Sequence, residues 1–287
     1  MYKEYGRYKI ELLKKDVYHI DENTKAIPAG AMEEDGSYNN PSSMYLILNE
    51  LGAVLVDLGY GPKSEQDLFN FQNLLETFIG NKPLTILLTH NHFDHIGFLK
   101  HLEVFANIKL ENIYISKKDF NQDLNFFLIT PIDDQDVLKI YGDNYQFYNV
   151  GAHTPGSLFV YNETNKVLIT GDTFGSGYVW IVFDHHKNPL KVLEDGLKKV
   201  MYVCKENDLI LAGHRYQQFD LSNKQRPEEM NRTYFLDMLE VLEGLKNNTT
   251  TILPYDVVDG AIELSKENKK AKIDTFDKYV QAYLESR

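Results

Sequence analysis

The chain has 287 residues, of which 43% are hydrophobic and 13% aromatic, enough to bury the core of one large domain or two small ones. Its 30 Lys and Arg stand against 42 Asp and Glu, and the resulting formal charge of -12 opposes attraction to nucleic acid or to anionic membranes, leaving a small-molecule substrate as the natural partner. The single Cys204 excludes an internal disulfide, the opening MYKEYGRYKI lacks the apolar core of a secretory signal, and no run is long enough to span a membrane, so the expected location is cytoplasmic.

In chain order, Tyr8 to Ile20 alternates with polar breaks and predicts a strand pair, followed by a loop from Ala26 to Pro41. The apolar runs Ser43 to Leu48 and Ala53 to Asp57, separated by Asn49 to Gly52, predict a hairpin of buried strands. Ser64 can cap a helix whose apolar residues Leu68, Phe71, Leu74, Leu75 and Phe78 recur at helical spacing, and Gly80 ends it. Then come a strand over Leu84 to Thr89, a short helix over Ile96 to Leu102 and a strand over Asn112 to Ser116. Lys117 to Val150 carries no clean period and is read as a lid or an insertion. The second half copies the first: a hairpin of Leu158 to Tyr161 and Lys166 to Thr170, a helix over Pro189 to Cys204 and a strand over Leu209 to Ala212. The last third reads as helical, with an amphipathic helix over Glu228 to Leu245, a solvated charged face from Glu263 to Lys272 and a second helix over Phe276 to Leu284. The simplest division is a catalytic unit over residues 1–220 with a helical extension over 221–287 packed on it.

The chemistry concentrates in His90-Asn91-His92-Phe93-Asp94-His95, four potential ligands within six residues at the end of an apolar strand. Residues two apart on an extended segment project to the same side about 6–7 Å apart, and imidazole nitrogens approach zinc to about 2.0–2.1 Å, so His90 and His92 can converge on one ion. The turn into the following helix swings Asp94 and His95 toward a second. Three further candidates, His153, Asp172 and His214, each follow an apolar run and a small residue, so the ends of different strands can bring them to one place. The remaining His19, His101, His185 and His186 read as packing or solvated residues, with the His185-His186 pair within reach of a substrate.

This ordered set resembles the metallo-β-lactamase superfamily, and Leu87-Leu88-Thr89-His90, Ala152-His153-Thr154-Pro155-Gly156-Ser157 and Leu168-Ile169-Thr170-Gly171-Asp172 look like its glyoxalase II and lactonase branches. The resemblance covers Met44 to Phe219 and implies an α/β fold, a four-layer αβ/βα sandwich, which agrees with the two strand-rich halves. By that similarity His90, His92 and His153 hold one metal, Asp94, His95 and His214 a second, and Asp172 bridges them, while Asp57 supports the site from behind. The implied activity is hydrolysis of a small ester, lactone or thioester by a metal-activated hydroxide, with Asp94 as an additional catalytic group. Zinc is the first expectation for two divalent ions held by imidazoles without thiolate, and the mixed nitrogen and oxygen donors also admit iron or manganese.

Tyr178, Trp180 and Tyr216 follow ligand-bearing turns and are candidates to line the substrate pocket. A homodimer is compatible with everything above. The rivals within the same fold are an iron-dependent persulfide dioxygenase and a phosphodiesterase or nuclease, the latter opposed by the acidic balance. A flavin-linked diiron reductase resembles this pattern but has Glu where His92 stands.

Overall fold

The computed structural model describes residues 2–22, 40–120, 128–176, 186–217, 229–255, 259–267, 269 and 271–286, and the backbone alone of 178–180 and 218–219. After an unexpected first strand β1 (Tyr2–Tyr5), the expected strand pair forms β2 (Tyr8–Lys14) and β3 (Val17–Asp21) and the expected hairpin β4 (Ser43–Leu48) and β5 (Ala53–Val56); the chain then crosses over through helix α1 (Glu65–Ile79) to β6 (Leu84–Leu87) and β7 (Leu110–Ser116). Most of the loop expected over Ala26 to Pro41 lies outside the described residues. The Ser64 side chain accepts from the Asp67 amide and Gly80 closes α1 with φ 60°, as its sequence predicts.

The stretch without a clear period is no lid where it is described. It forms β8 (Ile129–Ile132), β9 (Val137–Ile140) and β10 (Asp143–Asn149). Its strands are short: β8 contains Pro131, β9 exposes Val137 and Lys139, and β10 alternates buried Tyr145 and Phe147 with polar Asn144 and Gln146, so no continuous apolar run marks them. The short helix after β6 is a pair of 3₁₀ turns, Gly97–Lys100 and Leu102–Phe105, rather than an α-helical segment. The second half follows with β11 (Leu158–Asn162), β12 (Val167–Gly171), β13 (Tyr178–Trp180), α2 (Pro189–Val203) and β14 (Leu209–Ala212).

Strands β1 to β8 pair in sequence order as one sheet, and a second has the order β14-β12-β11-β10-β9. In both, antiparallel hairpins give way to parallel pairs, β5-β6-β7-β8 in the first and β12-β14 in the second; α1 makes the crossover from β5 to β6 and α2 lies between β12 and β14. Side chains alternate between the faces. Met44 and Leu46 of β4 pack with Phe71, Leu74 and Leu75 of α1, whereas Tyr45 and Ile47 meet Phe147, Val160 and Ile169 of the second sheet. On that sheet Leu168 and Ile210 point away, toward Leu193 and Leu197 of α2. Three apolar layers thus separate four structural ones, helix, sheet, sheet and helix, as an αβ/βα sandwich requires.

The expected C-terminal helices are present as α3 (Arg232–Lys246) and α4 (Asp277–Glu285), α3 starting later than Glu228 because Asn231 provides the cap. Between them stand three strands that the helical reading missed, β15 (Thr251–Pro254), β16 (Ala261–Ser265) and β17 (Lys272–Phe276). They join β13 in a sheet of order β13-β17-β16-β15, so this C-terminal segment pairs with a strand from earlier in the chain. The run read as a solvated face is pinned instead, with Lys272 on Glu263 at 3.0 Å and Lys269 bridging to Asp237 and Glu240 of α3. Among the described residues no helix is long and apolar enough to cross a membrane.

Candidate metal centre

The parallel pairs β5-β6 and β12-β14 end on the same side of the molecule, and the turns beyond those strand ends carry Asp57, the His90 to His95 segment, Asp172 and His214. Carboxyl ends of parallel strands are where open α/β sheets present functional groups. Two of the small residues before ligands have a steric cause. A Cβ on Gly171, whose φ is +47°, would overlap the Thr89 side chain, and one on Gly213 would strike the Asp172 carboxylate. Gly213 N also donates to Gly171 O at 2.9 Å, joining the two turns.

All seven sequence-predicted ligands meet. His92 Nδ1 lies 3.1 Å from His90 Nε2 and 3.0 Å from His153 Nε2. His95 Nε2 and His214 Nε2 stand 3.7 and 3.5 Å from Asp94 Oδ2. Asp172 Oδ2 sits between the groups, 3.2 Å from His214, 3.5 Å from both His95 and His153, and 4.0 Å from His90. Three trios, His90-His92-His153, His90-His95-Asp172 and Asp94-His95-His214, have donor atoms mutually within 4.8 Å.

These distances fit metal ions. Donors about 2.0–2.1 Å from a shared tetrahedral ion stand roughly 3.3 Å apart. Hydrogen bonding alone leaves the cluster incomplete, since His95 Nε2 and Asp172 Oδ1 are buried without a hydrogen-bond partner. His92 Nδ1, with one proton or one lone pair, cannot satisfy two imidazole nitrogens at once.

The surroundings select the ligating tautomers. Asp57 Oδ2 accepts from Thr89 Oγ1 at 2.8 Å and His95 Nδ1 at 2.9 Å, and Thr89 Oγ1 in turn accepts from His90 Nδ1 at 3.0 Å. His214 Nδ1 donates to Pro41 O at 3.0 Å. Each of the three rings therefore carries its proton at Nδ1 and turns Nε2 inward. Burial, helped by repulsion from His95, holds His90 well below the ordinary histidine value, and burial also lowers His92, so both are in the neutral form that binds metal. Around Asp172 the carboxylates prevail. Burial pushes Asp172 up, but His214 and His95 outweigh it and hold it well below its usual range. Burial likewise depresses His95 and His214, yet the neighbouring aspartates keep both above the usual value. This half of the site attracts positive charge.

Several supports escaped the sequence reading. The start of β4 cradles His214, since Ser43 N donates to Gly213 O at 2.7 Å and Ser43 Oγ accepts from Arg215 N at 3.0 Å. His19, expected as a packing residue, binds that same hydroxyl at 2.9 Å. Buried Glu22 accepts from Ser42 Oγ and Tyr60 N, and burial pushes its carboxyl up to about 7. Asp119 bonds to both the Asn91 and Thr154 turns, and burial raises it while those hydrogen bonds oppose. A signal existed for Asp119, which, like the ligands, stands just past an apolar strand.

Of the three aromatic candidates, Tyr216 lies beside the site, its ring 6.3 Å from that of His214 and its hydroxyl bonded to Asn40 Oδ1. The side chains of Tyr178 and Trp180 lie outside the described residues, as does His185. His186 Nε2 packs near Gly151, on the turn before His153, and His101 forms a surface pair with Glu103. Two aromatics that the sequence reading did not choose also stand here. Phe93, 71% exposed although between two ligands, meets Tyr60 edge-on at 5.5 Å.

A family model described as Lactamase_B, metallo-beta-lactamase superfamily, matches residues 38–204. Hydroxyacylglutathione hydrolase from Prochlorococcus marinus (strain MIT 9312) is 29% identical over 169 residues, 58% of this chain and 65% of its own length. An acyl-coenzyme A thioesterase of Gallus gallus is 22% identical over 174 residues, 51% of this chain and 63% of its own. The chain thus spans a little under two thirds of each of these two relatives. Among solved structures, a metallo-beta-lactamase from Pontibacter korlensis superposes with a TM-score of 0.58 at 16% identity, covering 82% of this chain and 99% of that one. A flavo di-iron protein from Thermotoga maritima gives 0.57 at 16% identity, covering 87% and 68%. At such identities the likeness concerns the fold.

Proposed function

This chain belongs to the metallo-beta-lactamase superfamily, and on that premise we propose that it is a hydrolase cleaving a small ester, lactone or thioester at a pair of divalent metal ions, zinc first among them. The observation that carries the reading is the placement of Asp172 Oδ2 between two sets of donors, His90, His92 and His153 on one side and Asp94, His95 and His214 on the other. The acyl substrate class is supported by the names of two relatives, a hydroxyacylglutathione hydrolase and an acyl-coenzyme A thioesterase. The charge of -12 opposes a polyanionic one.

When bound, the two ions bring the pKa of a water near neutrality and polarise the substrate carbonyl. The protein's own part is orientation and proton handling. Asp57, Thr89 and the Pro41 carbonyl hold the Nδ1 protons of His95, His90 and His214, so three rings turn Nε2 toward the ion site without rearrangement, and His95 and His214 would give up any Nε2 proton as metal binds. Asp172 faces four imidazoles and is committed to holding the centre together. Asp94 faces two, which leaves it as the carboxylate able to orient the attacking water and return a proton to the leaving group.

The test is metal analysis of purified protein, with turnover measured on thioester, lactone, phosphodiester and persulfide substrates. Two equivalents of zinc per chain, and acyl turnover abolished by a chelator and restored by Zn2+, are expected. Bound iron with oxygen consumption on persulfide would overturn the reading. Asp94→Asn should lower kcat about a hundred- to ten-thousand-fold while both metals stay bound. Full turnover by that variant would remove Asp94 from the mechanism.

A further inference from the structure

Beyond the ligands, one buried carboxylate joins the two turns that deliver the three-imidazole set. Asp119 lies just past β7, is 2% exposed, and receives a donor from each side. From the first turn, Asn91 N, between His90 and His92, donates to Asp119 Oδ2 at 3.1 Å, and Asn91 Nδ2 reaches the Asp119 carbonyl at 3.3 Å. From the second, Thr154 Oγ1, next to His153, donates to the same Oδ2 at 2.7 Å and Gly156 N to Oδ1 at 2.6 Å. The second turn is braced within itself, since Thr154 N donates to Ser157 Oγ at 2.8 Å.

The Asp94, His95 and His214 set is held otherwise. Asp57 fixes His95, Pro41 O fixes His214 Nδ1, and Ser176 Oγ accepts from His214 N at 2.9 Å. None of these contacts passes through Asp119. We propose that Asp119 is a positioning residue for one metal position only: it sets the spacing between His92 and His153, and so the affinity of the three-imidazole position, while leaving the other unaffected. The proposal rests on the dinuclear reading above. Its physical basis is that a charged acceptor serving several buried donors loses far more on removal than a neutral hydrogen bond does.

The experiment titrates metal-free wild type, Asp119→Ala and Thr154→Val with Zn2+ against a chromophoric chelator, and follows amide hydrogen exchange of the metal-free proteins. Asp119→Ala is expected to weaken one of the two equivalents by ten- to a hundred-fold and leave the other within about twofold. Exchange at the Asn91 and Gly156 amides should quicken with it. Thr154→Val, which keeps volume and removes one donor, should weaken the same equivalent by several-fold, and it carries the test should the alanine variant fail to fold. Equal weakening of both equivalents, wild-type affinity at both, or unchanged exchange at Asn91 and Gly156 would each overturn the proposal. A wild type that binds fewer than two zinc ions would instead sink the dinuclear reading, and Asp119 would then be judged by exchange alone.

Discussion

Asp57→Asn is expected to weaken zinc binding ten- to a hundred-fold at both positions, in contrast to the single position governed by Asp119. Asp57 directly follows β5 with φ 57° and is 1% exposed, with Oδ1 accepting from Thr89 N at 2.8 Å and Oδ2 from Thr89 Oγ1 and His95 Nδ1. Asparagine keeps the shape but must place an NH2 group where one oxygen stood. At the Oδ2 position that group opposes the His95 Nδ1 proton and the Thr89 hydroxyl proton. His95 escapes by carrying its proton on Nε2, the atom that faces the ion, and Thr89, no longer able to donate to Asp57, turns its proton toward His90 Nδ1 with the same result there. At the Oδ1 position the amide opposes the Thr89 backbone N–H, leaving a buried clash of donors. The same Zn2+ titration measures the effect, and undiminished affinity at both positions would show that Asp57 does not set the tautomers.

Asp274→Asn should make the protein more stable than wild type at pH 8, with an advantage that shrinks steadily on acidification. Asp274 lies in β17, is fully buried, and neither carboxylate oxygen has a hydrogen-bond partner. Burial, with the nearby Glu263 charge added and Lys272 opposing, pushes its carboxyl up to about 7 from an ordinary 3.8. Below pH 3.8 the group is protonated in both folded and unfolded chains and contributes nothing to the pH dependence. Between 3.8 and about 7 unfolding releases a proton, so stability falls by about 1.4 kcal/mol per pH unit and levels off above pH 7, a total loss of about 4 kcal/mol. Asparagine does not ionise and escapes that loss, although its amide is also buried without a partner. Glu22, also pushed up to about 7, adds the same slope to both proteins and cancels in the difference. Urea unfolding at pH 5 and pH 8 measures the gap, and a difference that does not change with pH would refute the assignment.

What the amino-acid order determined by itself is local. Short continuous apolar runs marked β4, β5, β6, β11, β12 and β14, helical spacing marked α1 and α2, and His90, Asp172 and His214 stood out because each follows such a run, His214 after Leu209 to Gly213 for example. Strands whose apolar residues are interrupted by polar ones, Lys139 in β9, Asn144 and Gln146 in β10, Glu263 in β16 and Lys272 and Asp274 in β17, lost that signal, which is why the region before His153 and the C-terminal sheet went unread. Only the tertiary structure decided how the ligands are held. Asp57 and His95 are 38 residues apart, Asp119 and Thr154 35, and Pro41 and His214 173, and each pair meets because of which strand lies beside which. A residue's tendency toward strand or turn is set by its near neighbours, whereas the partner of a buried carboxylate or imidazole is chosen by sheet order, and sheet order depends on the packing of the whole chain.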